Sequence, residues 1–470
     1  MADVCVPRCQ RAPECGDGYA CDGDGYCRRA TGQLGDGCTS EVECATGLSC
    51  QIDGDTVNER DRLLASCTAS NTGRPAGAAC VTDSDCRNGT CGLGHCLDLC
   101  ANNRDCAAGQ ACMAIPRVEA AGALFGGCLL AQGNVVWSIP VLAPNAEILL
   151  PVPERASYAS LVFSVDDAAQ KVGAVSVRSP TGTALYRVPC DPSVATCSLD
   201  ESNQQYYANL VRHRPEPGQS VLAMPSNPQV ALETGAYRVL ASSFRPNGTA
   251  GSAIPNVTAV IRLDSAVILD LHLYFLDLDD HPCAPAFDAG LDAATASTES
   301  FFQSDFLGQI RGIFSRGGIA LGGVTYHDVP NHPELDGLDI VDAGALLALG
   351  AHAKGINVFF VRTLSPVGLQ AFGPGPGPAG LAGTRKSGIV IGIDTLCYRS
   401  WRQLARLTAH EIGRYMGLYH NVELDPRWTD PIADTDDIES KNNLMFFSEL
   451  GGEELSPGQR NILTRSPVLR

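Results

Sequence analysis

Five residues near the end of the 470-residue chain have types and a spacing that point to chemistry: His410, Glu411, Arg414, Gly417 and His420. On a helix, residues four apart share a face, so positions 410 and 414 address the same point in space. Imidazoles at both positions, with a third brought round by a turn, would hold a metal dication. Gly417 can supply that turn, because glycine enters left-handed backbone without a steric penalty, and His420 then arrives as the last ligand. Glu411 sits where its carboxylate would take the proton from a metal-bound water, the general-base step of peptide hydrolysis. Position 414, however, holds arginine, whose guanidinium stays charged and offers no lone pair to a metal. Glu411 lies three residues before it, so the spacing predicts an ion pair that fills the metal position with an internal cation.

The element that must present these residues is a helix. The run "SWRQLARLTAHEIGRYMGLYH" opens on Ser400 as an N-cap and carries Trp401, Leu404, Leu407 and Ile412 as an inward stripe, with Gly417 as its stop. Upstream, "VILDLHLYFLDL", "GVTYHDV", "INVFFVRTL" and "SGIVIGID" read as strands, and "FFQSDFLGQIRGIFSRG" as an amphipathic helix. The run "GPGPGPAG" at 373–380 reads as a flexible connection. Cys283 and Cys397 pair by elimination.

The residues His410, Glu411, Gly417 and His420 follow the pattern HExxHxxGxxH except at Arg414, and "NNLMFF" places Met445 downstream of them. Together with "DPIADT" and "LSPGQRNIL", these features resemble the pappalysin family of metzincin zinc metallopeptidases, especially its secreted bacterial cytophagalysin-like members. The resemblance covers residues 266–470. It implies an α/β (α+β) metzincin-like domain, zinc as cofactor, Met445 in a turn beneath the metal, and protein or peptide as substrate. Three departures fall near the site. Arg414 replaces the second ligand, Phe447 stands where the family usually has a tyrosine hydroxyl to steady the tetrahedral intermediate, and Asp436 replaces a proline.

The rest of the chain sets the context. Seventeen of the 21 cysteines lie in the first 128 residues, a density that reads as a disulfide framework made in an oxidising compartment. They fall into four groups of four: Cys9 to Cys27, Cys38 to Cys67, Cys80 to Cys96 and Cys100 to Cys128, with Cys5 left over. Residues 1–130 are therefore expected to form four small disulfide-stapled modules that cannot fold on apolar burial alone. Their spacing resembles Dickkopf- or EB-like cysteine-rich repeats of extracellular proteins. Zinc ribbons are disfavoured because their paired CxxC motifs are lacking, and the "DGDG" run at Asp22–Gly25 reads as a turn, since the rest of a calcium loop is missing. Residues 131–265 show period-two runs such as "YASLVFSVDD" and "GAYRVLASSF" between turn residues, the pattern of a β-sandwich, with Cys190 and Cys197 close enough to clip a loop; the segment resembles the jelly-roll or prepeptidase-like sandwiches that accompany secreted bacterial peptidases.

The net charge of −18 is distributed as −7, −1 and −10 over these three regions. No basic stripe is present, which argues against nucleic acid as a partner, and no apolar run reaches membrane-spanning length. Residues 1–10 carry no hydrophobic signal core, so a secretion signal is expected upstream of this sequence. The expected architecture is multidomain and extracytoplasmic: disulfide modules, a sandwich, then a metallopeptidase-like domain. Three functions are compatible with it. One is a degenerate, weakly active or inactive metallopeptidase homologue that binds protein or peptide. The second is an active secreted zinc endopeptidase with Glu411 as base, and the third a non-enzymatic surface or adhesion protein. Isolated histidines such as His272, His281, His327, His332 and His352 read as ordinary surface or core residues.

Overall fold

A computed structural model describes residues 7–16, 19–21, 25–58, 62–120, 122–188, 209–276, 278, 290–435, 440–448 and 450–470. Cys5, residues 22–24 of the expected turn, the Cys190–Cys197 clip, His281, Cys283 and Asp436 lie outside the described residues. Cys397 is disulfide-bonded, and its expected partner falls among them.

The N-terminal modules repeat one device. In each group the first cysteine bonds the third and the second bonds the fourth: Cys9–Cys21 and Cys15–Cys27, Cys38–Cys50 and Cys44–Cys67, Cys80–Cys91 and Cys86–Cys96, Cys100–Cys112 and Cys106–Cys128. The third and fourth cysteines face each other across a hairpin in every module, as Cys21↔Cys27, Cys50↔Cys67, Cys91↔Cys96 and Cys112↔Cys128. Each hairpin is thus stapled twice to the loop before it. The later modules also pack against the sandwich. Leu93, Leu97, Leu99, Met113, Ile115 and Phe125 belong to the same buried cluster as the sandwich residues Leu150, Leu161, Phe163 and Tyr237.

The sandwich has eight principal strands: β1 (Asn134–Ile139), β2 (Asn145–Val152), β3 (Tyr158–Ser164), β4 (Lys171–Arg178), β5 (Ala184–Arg187), β6 (Gln219–Met224), β7 (Gly235–Phe244) and β8 (Asn256–Arg262). They form two sheets, ordered β1-β8-β3-β6 and β2-β7-β4-β5, with all pairings antiparallel. Leu161, Phe163, Val172, Val239 and Ala241 are wholly enclosed between them. The period-two runs of the sequence supply these inward faces.

The C-terminal region carries a five-stranded sheet: β9 (Ile268–Phe275), β10 (Ala320–Asp328), β11 (Ile356–Val361), β12 (Ala371–Phe372) and β13 (Ile389–Gly392). Its order is β10-β9-β11-β13-β12, parallel except for the β12 edge. Short helix α1 (Ala293–Thr298) leads into a π-helical stretch at Phe302–Leu307 that continues as α2 (Gly308–Arg316). One face of the sheet packs through Leu271, Leu273, Phe275, Val358 and Phe360 onto α2 and α4 (Trp401–Tyr415). The other face packs through Tyr274, Phe359 and Val361 onto α3 (Ala343–Leu347). A last helix, α5 (Pro457–Leu463), precedes a buried C-terminal tail. No helix among the described residues is long and apolar enough to cross a membrane.

The expectation of a flexible connection at 373–380 is overturned: seven of these eight residues are buried, and Gly377 donates its N–H to the Tyr415 carbonyl at 3.0 Å. Proline fixes its own backbone and glycine permits close approach, so the run packs against the end of α4 as a wall.

Sandwich and C-terminal region are joined by buried polar contacts. The fully buried Arg262 donates from Nε to Asp264 at 2.6 Å and from Nη1 to the carbonyls of Thr464 and Ser466 at 2.9 and 2.7 Å, while Nη2 reaches the Ala266 carbonyl. Lys354 donates to Asn134 at 3.2 Å and to the carbonyls of Pro467 and Leu469 at 3.0 and 2.8 Å. Replacing Arg262 by Ala would strand Asp264 and three carbonyls. Urea unfolding of Arg262→Ala is expected to show about 3–5 kcal/mol of lost stability, and a loss under 1 kcal/mol would exclude this role.

Candidate functional site

Helix α4 begins as its sequence indicates. Ser400 accepts from the Gln403 N–H at 3.3 Å, and the Gln403 side chain accepts from the Ser400 N–H at 2.9 Å, a complete capping box. Leu404 and Ile412 are fully buried, and Trp401 meets Phe302 edge-on at 5.7 Å. The helix ends at Met416, and Gly417 takes φ +109°, a conformation that side-chain-bearing residues rarely adopt. The chain doubles back there and delivers His420 to His410, with ring centroids 5.3 Å apart.

Both histidines are held in one tautomer. His410 Nδ1 lies 2.9 Å from the Leu444 carbonyl, and His420 Nδ1 lies 3.0 Å from a Glu423 carboxylate oxygen. Neither acceptor can donate, so each Nδ1 carries a proton, and in the neutral ring Nε2 is the nitrogen left with a lone pair. This is the state in which a histidine ligates a metal with its outer nitrogen tied down. Burial, with His420 next in effect, pushes the His410 pKa well below the ordinary histidine value.

The loop beneath is fixed by a buried arginine. Arg406 donates to the carbonyls of Leu444, Ser448 and Gly452 at 2.9, 3.2 and 3.0 Å. Met445, fully buried, then sits under Gly413 so closely that a Cβ added there would lie 2.8 Å from its sulfur. Its N–H donates to Asn443, whose side-chain amide pairs reciprocally with that of Gln459 at 2.8 and 3.1 Å. Asp434 of the "DPIADT" run accepts from Ser456 at 2.7 Å and from the Gly458 N–H at 2.9 Å, so the two C-terminal motifs meet at the start of α5. Phe447 packs at a tilt against Phe446, ring centroids 4.7 Å apart, and offers no hydroxyl.

The predicted ion pair forms. Arg414 Nη1 lies 3.7 Å from Glu411 Oε2, too far for a hydrogen bond, and that buried oxygen accepts none from the described residues. Burial raises the Glu411 pKa above the usual carboxylate value, and Arg414 is the first of the groups that oppose the rise. For zinc the fit fails at this position. Two imidazoles present suitable lone pairs, but the third member of the set is a guanidinium, which cannot ligate and repels a dication.

A cleft of about 160 Å³ opens above these residues. Arg414, Tyr419, His420 and Glu423 form one wall, Gly375 and Pro376 another, and Arg212, Arg214 and Glu216 from the sandwich close the third. Of the residues singled out in the sequence, only Arg414 and His420 line it; His410, Glu411 and Met445 lie buried behind them. The sandwich wall is what the sequence did not signal, because its arginines lie about two hundred residues from α4. A second grouping also escaped it: His272, His327 and His352 offer nitrogens within 4.8 Å of one another.

No protein-family model matches the chain, and no curated protein matches its sequence.

The cleft's sandwich wall predicts that the protein is acid-sensitive. His213 donates from Nδ1 to the Val221 carbonyl at 3.0 Å and accepts the Ala174 N–H on Nε2 at 3.0 Å. Protonation would set two donors against each other, and burial, ahead of Lys386, lowers its pKa to about 4. A depressed histidine pKa means that the unfolded chain binds the proton first. Stability is therefore present above about pH 6.5 and falls as pH drops toward 4. His272, also lowered to about 4 chiefly by burial, adds the same sign. Melting temperatures between pH 7.5 and 4.5 should fall steadily, and His213→Gln should flatten that slope in part. An unchanged slope in the variant would remove His213 from the account.

Proposed function

We propose that residues 266–470 form a metallopeptidase-like domain of the metzincin type whose metal position has been taken over by Arg414, and that the cleft binds peptide or protein segments without efficient hydrolysis. The observation that carries this reading is the state of Arg414. Its guanidinium lines the cleft 3.7 Å from Glu411, and among the described residues no hydrogen bond to it is present, although it has five N–H donors. The neighbouring arginines are engaged: Arg212 donates to the Thr429 carbonyl, and Arg214 pairs with Glu216 at 3.1 Å. Arg414 therefore offers a fork suited to a carboxylate, such as an acidic side chain or chain terminus of a bound peptide. The eight disulfides of the N-terminal modules support an extracytoplasmic location.

A second reading, an active zinc endopeptidase with Glu411 as base, is favoured by the tautomers of His410 and His420. In that reading a ligand from outside the pattern completes the set.

Arg414→His separates the two. It restores the third imidazole on a helix already in register, so the variant is expected to hold about one more zinc per chain than the parent and to gain chelator-sensitive cleavage of a protein substrate. Adding Phe447→Tyr should raise the rate further, by up to about 10²–10³-fold if its hydroxyl reaches the transition state, without altering zinc content. Equal chelator-sensitive cleavage by the parent and both variants would establish the second reading instead. The binding role is tested with a mixed peptide digest before and after amidation of its carboxyl groups. Peptides retained by the parent should be lost on amidation or in Arg414→Gln, with affinity falling about tenfold or more, as for loss of a charged hydrogen bond.

A further inference from the structure

We propose that His272, His327 and His352 form a binding site for a borderline transition-metal dication, zinc or nickel, on the face of the sheet away from α4. Parallel register builds the site. His272 of β9 stands beside Thr325 of β10, and Tyr274 beside His327, so all four share one sheet face. The loop between α3 and β11 lays His352 over His272, ring on ring at 3.6 Å. One nitrogen from each of the three rings lies within 4.8 Å of the other two.

The tautomer of His272 suits a metal. His272 Nε2 lies 3.0 Å from the Lys354 carbonyl, which can only accept, so that nitrogen carries the proton and Nδ1 keeps its lone pair. That lone pair and His327 Nε2 both sit 2.8 Å from the Thr325 hydroxyl. Two imidazole nitrogens thus aim at one point, now held by a hydroxyl that a single rotation about its side-chain bond removes. A carbonyl behind a ligating histidine is the usual means of fixing its ring for a metal.

Among the described residues, the third ring is held by ring contacts alone. The His352 side chain makes no hydrogen bond to a described residue and only stacks. Zinc–nitrogen bonds of about 2.1 Å in tetrahedral geometry place ligating nitrogens about 3.4 Å apart. Closing to that spacing requires His352 to turn off its stack and Thr325 to swing aside. The loop backbone is braced for this: buried Asn357 donates to the carbonyls of His352 and Ser387, each at 3.0 Å, and Tyr274 donates to Asn357 at 3.3 Å. His272 is 8% exposed, while His327 and His352 are half-buried, so an ion enters from solvent and water fills its fourth position. The Lys354 ammonium does not compete, since it donates to Asn134, Pro467 and Leu469.

The test is calorimetric titration of the metal-free full chain with zinc and with nickel. It is repeated in His327→Asn, His352→Asn and the double variant His410→Gln/His420→Gln, each checked for folding by circular dichroism. The half-buried positions of His327 and His352 make their replacements compatible with folding. One metal should bind per chain. The affinity should drop about tenfold or more in His327→Asn and in His352→Asn, the least that loss of a supporting contact produces at such sites, and persist in the double variant. Binding that vanishes in the double variant, equal affinity in all proteins, or no measurable binding of either metal would each overturn the site and leave the three rings as a packing cluster.

Discussion

The buried guanidinium of Arg262 is the contact on which the arrangement of the whole molecule rests. It ends the last sandwich strand and finds its acceptors in Asp264 just beyond that strand and in the backbone of Ala266, Thr464 and Ser466. A charge removed from water is tolerable only when geometry satisfies it, and here four acceptors from two chain segments do so. Satisfying it leaves the sandwich one way to sit on the C-terminal region. Lys354 repeats the logic a short distance away, and Asn134 bonds Pro467 at 3.0 Å beside it. The cleft is a consequence of that docking. Its sandwich wall is in place because Tyr419 donates to the Arg212 carbonyl at 2.9 Å and Lys386 pairs with Glu216 across the same seam.

What the sequence made legible was local. Ser400, the apolar stripe and Gly417 specify α4 within twenty residues, and each is found in its expected role. The Glu411–Arg414 pair was readable for the same reason, since helical spacing alone brings the two together. Cysteine grouping was equally local, but which of the four joined which depends on the hairpin that sets the third beside the fourth. What was not legible is non-local or depends on packing. Nothing in "VRHRPEP" announces that Arg212 and Arg214 face α4, because the seam that puts them there is made by residues fifty and more positions away. The histidine trio is hidden in strand register, a property of pairs of strands and not of either alone. The Gly-Pro run misled because composition was read as mobility, whereas three prolines with small neighbours also suit a segment that must lie flat against a helix end.

The charge at the candidate site explains why one substitution matters so much. A metal dication beside Glu411 leaves a surplus positive charge that a bound water or an oxyanion can answer, and hydrolysis uses that surplus. Arg414 beside Glu411 sums to zero. The carboxylate is nearly buried and would be costly without a counter-charge, so the guanidinium lets the helix fold with no ion present. Neutrality also relieves His410 and His420 of any need to bind. Their Nδ1 contacts to Leu444 and Glu423 hold the Met445 loop and the reversed chain in place whether or not Nε2 meets a metal. The surrounding frame, including Arg406, Asn443 and Gln459, is held by hydrogen bonds to backbone and amide groups and not by an ion. A scaffold of that kind does not depend on an ion for its shape. In the proposed reading, the cleft surface offers a fork that receives a carboxylate where a metal would polarise a carbonyl.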